Sequence, residues 1–247
     1  MKITVVTATW NSQATIADAI SSVANQSYSD VEHLIVDGAS SDNTLKIVAD
    51  CAGQTVKVVS EPDKGIYDAL NKGIALATGD VVGFLHSDDI FAHCDVLKEI
   101  AARFDKRNLD AVYGDLDYVS KDNVGHIVRH WKSSHFSRKK LLFGWMPPHP
   151  TFYMTKNCYE QFGAFDLKYK IAADYDAVLR YFGKYGIRTE YIPQVLVKMR
   201  LGGASNRSFR NILKKSSEDF NALINNGFPP LRAIVGKNLS KLPQFIV

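Results

Sequence analysis

The stretch SEPDKGIYDALNKGIALATGDVVGFLHSDD, residues 60–89, decides the fold. An acidic turn enters a helical pattern, the helix passes to an apolar strand, and the strand stops on two adjacent aspartates. Residues 81–85 (VVGFL) are continuously apolar, as expected of a strand buried on both faces. Asp88 and Asp89 then fall where that strand leaves the sheet. Ligands of open α/β sheets bind outside the carboxyl ends of the strands. Two carboxylates there suit a hard divalent cation that keeps waters and bridges to substrate phosphates. An Asp before a helix also suits an N-cap, and a helix could follow from Cys94. One cap needs one aspartate, however, and here there are two.

The same rhythm precedes this stretch. Residues 3–8 read as a buried strand, and Ser12 can cap a helix whose apolar face is Ile16, Ala19, Ile20 and Val23. Residues 31–36 form a second strand ending on Asp37, Asp42 caps the next helix, and residues 56–59 form a third strand. Four such units predict a mostly parallel, Rossmann-like α/β sheet with helices on both faces. Beyond Asp89 the pattern loosens. Strand-like pieces are predicted at 111–113, 126–131 and 191–199, helices at 156–162 and 175–184, and an ordered loop at 145–150, where WMPPHP carries three prolines. Two amphipathic helices, 209–224 and 231–242, flank the Pro229-Pro230 break.

Composition is that of an ordinary globular chain: 247 residues, 46% hydrophobic and 23% charged. Apolar runs long enough to span a membrane are absent from the sequence. The first residues, MKITVVTATW, enter a strand pattern without the h-region of a signal peptide, so a cytoplasmic protein is expected. Cys51, Cys94 and Cys158 are far apart and odd in number, which argues against a zinc site or disulfide framework. The net charge of +4 is uneven: from Lys198 onward nine Lys/Arg face two acids, giving +7 and leaving −3 for the preceding residues. Such a tail suits phosphates or an anionic membrane surface, or is simply a solvated helix face. It carries no nucleic-acid-binding motif, and no nucleic-acid partner is expected.

TATWN at the first strand end, VDGASSDNT at the second, the 60–89 stretch, and PHPTFY, GAFD and AADYD downstream together resemble the family 2 glycosyltransferases of the GT-A fold. The likeness runs from Lys2 to about Arg200 and extends to bacterial transferases that build surface polysaccharide, of the colanic acid and O-antigen type. It implies transfer of a sugar from a nucleotide-sugar donor, UDP- or GDP-linked, usually with inversion and with Mn²⁺ or Mg²⁺. It also implies a glycan or lipid-linked glycan acceptor. A GT-A domain is expected over residues 1–206, with a nucleotide half at 1–89 and an acceptor half at 90–206, followed by a basic helical extension at 207–247.

Site residues follow from that likeness and from their chemistry. Ala8 and Asp37, at neighbouring strand ends, are expected at the nucleoside; a carboxylate there accepts hydrogen bonds from a base imide or ribose, although Asp37-Gly38 is also a strong turn signal. Asp63 can cap the next helix, Lys64 can meet a phosphate, and Asn71 can reach the ribose or hold the Asp88–Asp89 loop. Asp89 is the expected metal ligand and Asp88 the contact to sugar or ribose, although the family's Asp-x-Asp spacing would want an acid at Ser87. Asp174 matches the family's catalytic acid, the base that takes the acceptor's proton; the same position suits an N-cap. His86 reads as a packed residue. His149 and Trp145 are candidates for acceptor or diphosphate contact, and Arg200 with Gly202-Gly203 for a hinged lid.

The other reading is a non-catalytic sugar-nucleotide or polysaccharide binder of the same fold, which loss of the acidic pair or Asp174 would have favoured. A dehydrogenase or P-loop enzyme is excluded, because GxGxxG and GxxxxGK[ST] are both missing. For the tail, a lipid headgroup interface competes with packing on the catalytic body or on a second subunit of a homo-oligomer.

Overall fold

A computed structural model describes residues 1–51, 53, 56–106, 108–202 and 209–239; for 106, 209–212, 238 and 239 it describes the backbone alone. The first half alternates as expected. Strands β1 (Ile3–Thr9), β2 (Val31–Asp37), β3 (Val56–Ser60) and β4 (Val81–Phe84) are parallel, and α1 (Ile16–Ala24), α2 (Thr44–Cys51) and α3 (Ile66–Leu76) connect them. Ile16, Ala19, Ile20 and Val23 of α1 are all buried, so the helical spacing read from sequence marks the inward face.

The second half is mixed. After β5 (Ile90–Phe91) and α4 (Val96–Lys106) come β6 (Ala111–Val119) and β7 (Ile127–Trp131), then α5 (Arg138–Leu141), a 3₁₀ turn at His149–Thr151, β8 (Tyr153–Thr155) and α6 (Lys156–Phe162). Helix α7 (Ala173–Val178) continues as π-helical turns at Leu179–Tyr185, and β9 (Thr189–Arg200) completes the sheet. The order is β3-β2-β1-β4-β8-β6-β9-β5, with β7 paired to β6. β8 runs antiparallel to β4 and β6, β9 parallel to β6, and β5 antiparallel to β9. β6 is longer than the predicted 111–113 because Asp115 and Asp117 are buried strand residues: Tyr191 and the Ser133 N–H satisfy Asp115, and His130 satisfies Asp117.

The chain closes with α8 (Phe209–Asn225) and α9 (Pro230–Leu239). Ala222, Leu223, Phe228 and Ala233 belong to the same buried cluster as Phe84 and Tyr175, so these helices join the main core. Gly144, at φ +73°, lets α9 approach: a Cβ there would lie 2.2 Å from the Ala233 carbonyl oxygen. Leu213, Phe220, Ile224, Leu231 and Val235 stay exposed. The tail expectation therefore divides, with Leu223 in the core and Leu213 and Phe220 outside it. Arg207, Gly203 and the 240–242 end of the second predicted helix lie outside the described residues, as do the side chains of Phe209, Arg210 and Ile212.

At the amino ends of the strands, Glu32 is buried and accepts from Thr4 Oγ1 (2.7 Å), Thr78 N and Oγ1 (both 2.8 Å) and Lys57 Nζ (2.6 Å). Burial alone would raise its pKa, but Lys57 and the threonine donors outweigh it and hold the carboxyl at about 2. A depressed folded pKa gives stability above the unfolded value of 4.5 that is lost as pH falls toward 2. Glu32→Gln is expected to cost roughly 1–3 kcal/mol at pH 7 and to flatten the loss between pH 4.5 and 2 in urea titrations. A variant with the wild-type acid slope would show that other groups carry it.

Candidate active site

The carboxyl edge of the parallel strands gathers the first group of residues. Ala8 belongs to the core beneath this edge. Trp10, just past β1, is 66% exposed. Asp37 ends β2 fully buried, accepting from Ser40 N (2.9 Å), Ser40 Oγ (2.5 Å) and Ser60 Oγ (2.7 Å). It thus organises its own turn, as an Asx turn does. Gly38 follows, and a Cβ there would lie 2.5 Å from Asp63 Oδ2 and 3.5 Å from Trp10 Cδ1. Trp10, Asp37, Gly38 and Asp63 therefore converge. Asp63 Oδ1 accepts from Gly65 N at the entrance to α3 (2.8 Å), while Lys64 beside it is exposed.

The acidic pair lies between β4 and β5. The Asp89 N–H closes a turn on the His86 carbonyl (3.0 Å), folding Asp89 inward until it is fully buried. Its Oδ1 accepts from Arg200 N at 3.2 Å, while Oδ2 is buried without a partner among the described residues. Burial, then the neighbouring Asp88 charge, pushes the Asp89 carboxyl well above the usual carboxylate range, against the pull of Arg200. Arg200 also donates Nη1 to the Asp88 carbonyl (2.8 Å) and Nη2 to Asp18 Oδ2 (2.5 Å). With 8% exposure it clamps the acidic turn to α1 and β9, in place of the hinged cation expected from sequence.

Asp174 comes to this edge from the far side. It sits in the first turn of α7, half-buried, with Oδ1 accepting from Tyr175 N (2.8 Å) and lying 3.2 Å from the Tyr67 hydroxyl. That hydroxyl also lies 2.8 Å from the Ile171 carbonyl, so its single proton serves one acceptor at a time. His149 stacks on Phe84 (centroids 5.2 Å apart) and on His86 (6.1 Å). Burial lowers both imidazoles, His149 to about 4 and His86 against the opposing charges of Asp88 and Asp174. In both, burial favours the uncharged ring. His149 Nε2 and His86 Nδ1 are buried without partners among the described residues.

Two expected contacts are used elsewhere. The Asn71 amide donates to the Phe165 carbonyl and accepts from the Phe165 N–H, both at 2.9 Å, so it fastens the GAFD segment and not the donor. Trp145 packs edge-on against Tyr113 and Phe182 and tilted against Phe136, partly buried against the aromatic core. Three residues unremarked in the sequence belong here instead. Trp10 had a signal, a lone aromatic in TATWN at a strand end. Tyr67 and Tyr118 had none. Tyr118, whose hydroxyl feels the charges of Asp89 and Asp174, lies under the Arg129 guanidinium at 3.7 Å.

The Asp88–Asp89 turn and Asp174 thus bring carboxylates from two separate elements toward the same end of the α/β sheet. Residues 4–165 match the model of glycosyl transferase family 2. Over 203 residues the chain is 32% identical to the PGL/p-HBAD biosynthesis glycosyltransferase of Mycobacterium tuberculosis, covering 80% of this chain and 77% of that one. Staphylococcus aureus TarS 1–349 in complex with UDP-GlcNAc superposes with a TM-score of 0.73 at 19% identity, over 96% of this chain and 70% of that one. A mannosyltransferase from Pyrobaculum calidifontis in complex with GDP-Man and Mn²⁺ gives 0.67 at 17% identity, over 97% and 69%. The chain spans 40% of the longer TarS structure. It belongs to glycosyl transferase family 2, has the GT-A fold and is a glycosyltransferase.

Proposed function

We propose that the protein transfers a sugar from a UDP- or GDP-linked donor to a glycan or lipid-linked glycan hydroxyl with inversion, in surface polysaccharide assembly. One observation carries the reading: the half-buried Asp174 carboxylate and the Asp88 carboxylate both act on the stacked His86–His149 pair, so the two acidic centres share one neighbourhood. Asp174 takes the acceptor proton as that oxygen attacks the anomeric carbon and the nucleoside diphosphate leaves. Trp10, Asp37 and Asp63 hold the nucleoside, Lys64 meets a phosphate, and Asp88 contacts ribose or sugar. His149 offers its unpaired nitrogen to acceptor or diphosphate.

The donor set suits Mn²⁺ or Mg²⁺, since Asp89 Oδ2 is a buried oxygen without a partner among the described residues. Asp89, with Asp88, would hold the ion, and the ion supplies charge neutralisation at the leaving diphosphate. A thermal-shift screen of UDP- and GDP-sugars with Mn²⁺, followed by NMR of the product anomer, tests the reading. A retained anomeric configuration overturns it.

We also place the enzyme at the cytoplasmic face of an anionic membrane. Among the described residues no helix is long and apolar enough to cross a membrane. Leu213, Phe220 and Ile224 share the outer stripe of α8, Leu231 and Val235 lie exposed on α9, and the segment from Lys198 carries +7. Exposed apolar side chains on a basic segment suit a headgroup interface, at about 1 kcal/mol per basic residue that reaches the surface. Co-sedimentation with anionic vesicles is expected at low salt and is expected to fade as salt rises. Indifference to such vesicles at low salt would leave these positions to a second subunit.

A further inference from the structure

Opposite its exposed stripe, α8 turns Glu218 inward. The side chain is buried, and its carboxylate accepts three consecutive backbone N–H groups: Lys170 (3.1 Å, Oε1), Ile171 (2.8 Å, Oε2) and Ala172 (3.0 Å, Oε2). Such a nest of amides is a strong anion cradle, and here the anion comes from the protein itself. Ala172 immediately precedes α7, and Asp174 lies two residues further on. The same loop offers the Ile171 carbonyl to Tyr67, whose hydroxyl also faces Asp174. The end of α8 and the turn after it reinforce the hold, with Asn225 Nδ2 donating to Tyr169 Oη and Asn226 Nδ2 to Asp176 Oδ1, both at 2.9 Å.

We infer that Glu218 is a positioning residue for Asp174, fixing through three backbone amides the loop that sets where the base stands. This rests on reading Asp174 as the base. A base misplaced by about an ångström can lose roughly a hundredfold in rate without any loss of substrate affinity. The tail helices thus serve the chemistry as well as any surface they touch. Without Glu218, three N–H groups would be left unpaired at the entrance to α7.

The test uses the full chain and hydrolysis of the UDP- or GDP-sugar it turns over, with water in the acceptor's place. The bond from the anomeric carbon to the phosphate oxygen breaks, the bond to water oxygen forms, and Asp174 takes the water's proton. Glu218→Gln, which keeps the side chain's shape, is expected to lower kcat roughly 10- to 100-fold while donor KM stays within about twofold. In an Asp174→Asn background the same change is expected to have little further effect, since it acts through Asp174. Leu223→Ala, a core change on the same helix, is the control; it is expected to lower Tm while leaving kcat unchanged below the transition. If Glu218→Gln does not fold, Glu218→Asp is read the same way. Unchanged kcat at a lowered Tm, or a full additional loss in the Asp174→Asn background, overturns the inference. An active Asp174→Asn enzyme would instead overturn the base assignment on which it rests.

Discussion

Asp174→Asn is expected to bind donor as the wild type does and to lose transfer by about 10²–10⁴-fold, the range for removing a general base. The substitution is nearly isosteric, and Oδ1 can still accept from the Tyr175 N–H and face the Tyr67 hydroxyl, so the first turn of α7 should stay in place. What disappears is the proton acceptor. The two imidazoles nearby do not substitute for it, because burial disfavours the cationic form either would have to take. The measurement is kcat and donor Kd on the same preparation. An unchanged kcat would move the base elsewhere.

Much of this was legible in the sequence, for a reason that also marks where legibility stopped. Buried parallel strands announce themselves as apolar runs, and their ends place Asp37, Asp88 and Asp89 at one edge by chain geometry alone. The proposal of Asp174 as base rests on the family likeness, because nothing local in AADYD separates a base from a cap. The contacts of Asn71 and Arg200 are not legible in sequence because their partners lie far along the chain: Phe165, 94 residues away, and Asp18, 182 residues away. β6 runs past the predicted 111–113 because the buried Asp115 and Asp117 are satisfied by donors and partners that the local sequence does not show. For the tail, helical periodicity separates two faces but does not say which one meets the core, so the inward turn of Glu218 is not legible from sequence.

Asp89→Asn is expected to lose transfer by roughly a thousandfold, the several kcal/mol that a bound cation contributes at a leaving phosphate, and yet to make the metal-free protein more stable. Both effects come from one buried side chain. Asp89 is fully buried, and among the described residues one oxygen accepts the Arg200 N–H while the other has no partner. Such a carboxylate is costly to bury as an anion. Asparagine keeps the acceptor for Arg200 and removes the charge, so Tm of the variant without metal should rise at neutral pH. With Mn²⁺ the order should reverse, because the wild type gains stability by binding the ion and the variant does not. EDTA should abolish turnover of the wild type and lower its Tm while leaving the variant unmoved. Full activity in EDTA, or a variant that Mn²⁺ stabilises as it does the wild type, would take the ion away from Asp89. A stabilised but inactive Asp89→Asn protein would instead identify this carboxylate as a residue kept for function at the expense of the fold.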